Sequence, residues 1–169
     1  MEGTQPFVKG LRFRRYSTTS IDTARAGTAS VADEFLLADF ETNPNFYHNS
    51  VQGITGYFSP PETGNYRFYL NCDDTCSFDI SETPYDPLNP IEPTYSEEVA
   101  KVDSWMGWRN YAMPTSVYTD TPISDWFYLE QGSYYPIRGY HDEYSSSDYF
   151  AVGLEQEDPD SVGHSNANP

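Results

Sequence analysis

The sequence predicts an all-β domain, a two-sheet antiparallel β-sandwich with long loops and at most one short helix. Three observations carry that prediction. Thirteen prolines and eleven glycines punctuate the chain, which suits short strands and loops better than helices of three or four turns. Aromatic residues (15 Tyr, 10 Phe and 3 Trp) supply much of the 37 % hydrophobic content, and a tyrosine can bury its ring while its hydroxyl stays wet. Alternating stretches between turn signals add up to roughly eight to ten strands, the number expected of a two-sheet sandwich. A length of 169 residues gives one domain with a real core.

The elements follow in order. "GLRFRRYST" sets Leu11 and Phe13 on one face and Arg12, Arg14 and Tyr16 on the other, which is strand periodicity. "SVADEFLLADF" is expected to form a short helix capped by Ser30, with Phe35, Leu36 and Phe40 on one side. "GITGYFSPPETGNYRFYLNC" reads as a β-hairpin whose turn is flanked by Tyr57 and Tyr66. "SFDIS" is the next strand, so Asp73 and Asp74 fall at a strand-to-strand corner. "ETPYDPLNPIEPTYSEE" carries Pro84, Pro87, Pro90 and Pro93 and reads as a long loop, because proline cannot donate to a ladder. Near the end come a strand closing at Leu129, a Gln131-Gly132 turn, a strand from Tyr134 to Tyr140, the polar loop "HDEYSSSD", and a strand from Tyr149 to Leu154. The domain is therefore placed at 1–154, with 155–169 as a polar tail that cannot make its own core.

Charge narrows the function classes. Nine Lys+Arg against 26 Asp+Glu give a net charge of −17, which repels nucleic-acid backbones and anionic membrane faces. No run of 18 apolar residues is present, so membrane insertion is not expected. The opening "MEGTQPFVKG" lacks a basic region followed by an apolar stretch, so no signal peptide is expected in these residues. Enzymatic activity is not expected either. There is no G-x-S-x-G elbow, and His141 beside Asp142 has no partner nucleophile. Trp105, Trp108 and Trp126 read more readily as core or sheet-packing residues than as sugar platforms. Glu97-Glu98 and the run from Glu155 to Asp160 read as solvated charge.

The two cysteines, Cys72 and Cys76, bracket the Asp73-Asp74 pair. Zinc needs four ligands and the chain holds only three histidines, so a disulfide is the better reading, with free thiols as the other. Closing so short a loop restricts the unfolded chain by about 2 kcal/mol and points to an oxidising, extracellular compartment.

Taken in order, "GLRFRRY", "GYFSPPETGNYRFYL", "DD", "FDIS", "GWRNY" and "YLEQGSYYPIRGYHDEYSSSDYFAVGLE" resemble the domain family named after anthrax protective antigen, the "PA-fourteen" domain. The fibrocystin-like and adhesin-type members are nearest, and the resemblance spans most of the chain. It implies a lectin-like sandwich in which lectin members bind calcium through paired aspartates joined by a cis peptide, while a second loop adds ligands and chooses the sugar. Carried over residue by residue, it implies Asp73 and Asp74 as first-loop metal ligands, with Glu143 and Asp148 as the inward carboxylates of the second loop. Tyr144, Ser146 and Ser147 are then the ligand-binding positions. The loop departs from the family's glycine-rich form, and serines permit less backbone freedom.

Calcium takes six to eight hard oxygen ligands, and a cation between the two aspartates would make their adjacency tolerable. The bland reading is a surface turn in which both aspartates bond to backbone N–H groups. Two functions are therefore expected. One is an extracellular, calcium-dependent carbohydrate-binding or adhesion module whose partners are glycans or glycoproteins. The other is a structural or assembly subunit of an extracellular surface layer or filament, whose partners are copies of itself or neighbouring extracellular domains.

Overall fold

The computed structural model describes residues 10–109, 121–144 and 148–158. Among them are nine strands and one short helix: β1 (Leu11–Tyr16), α1 (Ile21–Arg25), β2 (Val31–Leu37), β3 (Ser50–Phe58), β4 (Gly64–Asp73), β5 (Thr75–Ile80), β6 (Ser96–Val102), β7 (Phe127–Leu129), β8 (Tyr135–Glu143) and β9 (Tyr149–Gln156). They form a six-stranded sheet, ordered β2-β1-β3-β8-β5-β6, and a three-stranded sheet, ordered β7-β4-β9. Every pairing is antiparallel. The all-β sandwich is the observed architecture.

Side-chain alternation places the core between the sheets. Phe13, Ile54, Phe78 and Ile137 of the large sheet meet Tyr66, Phe68, Leu70 and Phe150 of the small one. The Phe68 and Phe78 rings touch across the layers with centroids 4.8 Å apart.

The helix lies elsewhere than expected. Residues 31–37 form β2, paired with β1 so that Phe35 faces Phe13 with ring centroids 4.5 Å apart. Arg14–Glu34 and Arg15–Asp33 ion pairs run along the same ladder. Leu36, which a helical face would have buried, is exposed. A short apolar run fits periods of 3.6 and of 2 equally well, and cross-strand pairing decides between them. The helix that does form, α1, starts at Ser20, whose Oγ accepts from the Thr23 N–H at 3.3 Å.

The turn at residues 59–63 does not close a hairpin. β3 belongs to the large sheet and β4 to the small one, so the chain arches over one end of the sandwich. Phe58 then packs edge-on against Tyr66 and Phe68, at 5.5 and 5.8 Å, and the Tyr66 hydroxyl donates to the Glu62 carbonyl at 2.6 Å. The Gln131-Gly132 turn crosses between the sheets in the same way, from β7 to β8. Alternation shows which face of a strand is buried but not which strand lies beside it. Ser96–Val102, read in part as the end of a loop, is the edge strand β6. β9 continues through Gln156, and Glu155 in it pairs with Arg67 at 2.7 Å rather than standing free in solvent.

Candidate functional site

At one end of the sandwich the chain leaves the small sheet at Asp73, passes through Asp74, and enters the large sheet at Thr75. Cys72 and Cys76 are both fully buried and joined as a disulfide, with Cα atoms 6.3 Å apart. The Asp73-Asp74 peptide bond is cis. Register brings the ends of other strands to the same place: Tyr149 lies opposite Asp73, Asp142 opposite Thr75, and Glu143 opposite Ser50. Carboxylate oxygens of Asp73, Asp74 and Glu143 all lie within 4.8 Å of one another. Glu143 is buried, whereas the two aspartates are partly open to solvent.

Three carboxylates so close repel one another. Asp73 is pushed up to about 6, first by burial, then by its hydrogen bond with Asp74 and the charges of Asp74 and Asp148. Asp142, on the outer face of β8, is raised by burial and by Asp74. The Tyr149 hydroxyl is raised in turn by burial and by the Asp73 charge.

The predicted residues divide into groups. Asp73, Asp74 and Glu143 come together. Asp148 is fully buried beside this group without joining it. One of its carboxylate oxygens accepts from the Tyr47 N–H at 2.7 Å and from Gln52 Nε2 at 3.2 Å, and the other has no hydrogen-bond partner among the described residues. Its backbone carbonyl accepts from the Asn45 N–H at 2.8 Å, so Asp148 ties residues 45–47 to the corner. Tyr144 is 80 % exposed, and its N–H donates to Asp74 Oδ2 at 3.1 Å. Ser146 and Ser147 lie outside the described residues.

Two features escaped the sequence reading. His141 is fully buried, its Nε2 lies 2.6 Å from the Asp73 carbonyl, and its ring stacks on Phe150 at 5.6 Å. Burial pushes it down to about 4, so it is neutral at pH 7. The signal for it was the two-residue spacing to Glu143, which sets both side chains on one face of β8. The tryptophans are the other feature. Trp105 and Trp108 are 69 % and 55 % exposed, and Trp126 stands under the Arg67 guanidinium at 4.6 Å. They are surface groups rather than core, because the sandwich interior is already filled by phenylalanine and aliphatic side chains.

Two cavities flank other parts of the large sheet. One of about 250 Å³ lies under the proline-rich segment at the opposite end of the large sheet, lined by Tyr85, Ile91 and Pro136. Another of about 180 Å³ adjoins the corner at Thr75, and in it Lys101 stands among Asp22, Glu98, Asp103 and Asp142.

Among solved structures, the Epithelial Adhesin 6 A domain from Candida glabrata, crystallised with Galβ1-3GlcNAc, is similar at 18 % identity and a TM-score of 0.57, covering 94 % of this chain and 84 % of that one. The Epithelial Adhesin 9 A domain from Candida glabrata, crystallised with Galβ1-4GlcNAc, has 18 % identity and a TM-score of 0.57, covering 89 % and 84 %. The PA14 domain of the MpAFP antifreeze protein has 16 % identity and a TM-score of 0.56, covering 94 % and 89 %. These likenesses establish a shared fold. No curated protein sequence matches the chain. The model of the GLEYA domain family matches residues 51–152, from β3 through the acidic corner into β9, and the chain belongs to that family, a relative of the protective-antigen domains.

Proposed function

We propose that this chain is a calcium-dependent glycan-binding or adhesion module that works outside the cell. The observation that carries the reading is the convergence of Asp73, Asp74 and Glu143 within 4.8 Å at the crossing between the sheets. Hard carboxylate oxygens are the donor type that calcium takes, and a divalent cation would offset the burial and neighbouring charges that raise Asp73. Calcium bound there would supply open coordination positions for the hydroxyls of a sugar. Asp73, Asp74 and Glu143 would hold the ion, Asp148 would support the wall behind it, and the exposed Tyr144 ring would offer an apolar face for stacking. The disulfide supports an oxidising location, and no helix of the described residues is long and apolar enough to cross a membrane. The glycans in the adhesin crystals support the ligand class. Among its described residues the corner pairs no hydroxyl or thiol nucleophile with its histidine. Its histidine is sealed from solvent, with its Nε2 engaged by Asp73.

The test is calorimetric titration of calcium into chelator-treated protein, followed by a glycan array with and without chelator. Calcium heat and chelator-sensitive binding to the array are expected. Absent heat together with an empty array overturns the reading.

A second reading, assembly with copies of itself or with neighbouring domains, is favoured by the exposed Trp105, Trp108 and Tyr128, since aromatic residues are enriched at interfaces. Light scattering over a concentration series tests it. A molar mass that stays at the 19.2 kDa monomer value at high concentration overturns it.

A further inference from the structure

We propose that His141 is the positioning residue of the acidic corner, its buried Nε2–H fixing the carbonyl of the peptide that joins Asp73 to Asp74 and so the aim of both carboxylates. The inference rests on reading that corner as the cation site.

The contact is 2.6 Å long and wholly inside the protein. A carbonyl oxygen can only accept, so Nε2 carries the proton and Nδ1 is the bare nitrogen. Among the described residues Nδ1 has no hydrogen-bond partner, and Nε2, which also lies 3.9 Å from Glu143 Oε2, makes its hydrogen-bond-length contact with the Asp73 carbonyl. Packing leaves the ring little freedom to turn away. It stacks on Phe150 of the small sheet, and β8 at this position is paired on both sides, with Gln52 of β3 and Cys76 of β5. The bond therefore runs from the middle of the large sheet to the last residue of β4 in the small one, across the layer boundary where the two aspartates sit.

The disulfide closes the same corner at Cys72 and Cys76, on either side of the pair. His141 engages the linking peptide itself. Groups that orient metal ligands without touching the metal typically change affinity 10- to 100-fold when removed, and the geometry gives His141 that place toward Asp73 and Asp74.

Calcium chloride titrated calorimetrically into the chelator-treated full chain, with ion-free melting followed in parallel, tests the assignment. His141→Phe keeps a ring against Phe150 and removes the donor, and is expected to weaken calcium binding about 10- to 100-fold. His141→Gln restores an N–H and is expected to recover most of that loss. A merely structural role would lower ion-free melting in the variants and leave calcium affinity at temperatures below the transition unchanged. His141→Phe binding within twofold of the parent overturns the assignment, and so does a glutamine variant as weak as the phenylalanine one. Should His141→Phe fail to fold, long-range ¹H–¹⁵N spectra of the unaltered protein decide, an Nε2–H tautomer being expected with and without calcium and an Nδ1–H tautomer overturning the proposal. If the unaltered protein takes up no calcium, the cation reading falls and this inference with it. If it binds calcium and His141→Phe binds equally well, only the positioning role falls.

Discussion

Asp73 and Asp74 would be an unfavourable choice for a plain turn, because burial, the hydrogen bond with Asp74 and the charges of Asp74 and Asp148 make Asp73 costly to ionise. A bound calcium ion would reverse that balance. At a calcium concentration one hundred times its dissociation constant the folded protein would gain about 2.7 kcal/mol by mass action. Asp74→Asn or Glu143→Gln is expected to remove most of that gain, read as the loss of a calcium-dependent rise in melting temperature. A rise equal to that of the parent would count against both residues as ligands.

Proton linkage at the corner has a definite sign. In the ion-free protein Asp73 sits at about 6 when folded against an ordinary 3.8, so across that interval its term makes stability fall as pH rises. His141 sits at about 4 when folded against an ordinary 6.5, so over nearly the same interval the unfolded chain binds the extra proton and stability rises with pH. The two terms oppose each other. Asp73→Asn removes the first, and the ion-free variant is expected to gain stability steadily from about pH 4 to about pH 6.5. Denaturant titrations at several pH values measure this, and a flat profile in the variant would contradict it.

At the scale of elements, β8 does the most to build the site. Its inner face runs Tyr135, Ile137, Gly139, His141, Glu143, passing from core to polar corner along one strand. Gly139 is required by close approach rather than by backbone angle. A Cβ there would lie 2.6 Å from the Phe150 ring and 3.0 Å from Phe40. Gly139→Ala is expected to destabilise the protein by about 1–3 kcal/mol through overpacking, measured by chemical denaturation, and a neutral result would show that both rings have room to withdraw. Elements were unevenly legible in the sequence. The alternation in residues 11–16, 64–72 and 149–154 gave strands where strands lie. Residues 31–37 are too short for period alone to separate helix from strand, and β6 was concealed by the prolines that precede it.

Across the whole molecule a second anchor holds the outer face of the large sheet. Asp79 on β5 is completely buried and receives Arg138 of β8 at 2.7 Å, Arg25 of α1 at 3.3 Å and the Glu98 N–H of β6 at 2.8 Å. Asp79→Ala would leave two guanidinium groups without their central carboxylate and is expected to cost about 3–5 kcal/mol. Thermal unfolding reads this, and a shift of only a degree or two would mean that solvent or Glu97, which also pairs with Arg138 at 2.7 Å, takes over. Asp79 is not among the converging carboxylates of the corner, so the variant, while folded, is expected to match the parent in any calcium binding.

The sequence by itself determined the class of fold, the disulfide bracket and the paired aspartates at a strand corner, because punctuation, alternation and cysteine count are local properties. Only the tertiary structure decided that the turns after β3 and β7 cross between sheets, that Asp73, Asp74 and Glu143 converge while Asp148 bonds to the Tyr47 N–H, and that the His141 ring meets the Asp73 carbonyl. Those facts depend on which strands become neighbours. Alternation fixes a side chain's face, whereas packing between distant segments fixes what that face meets.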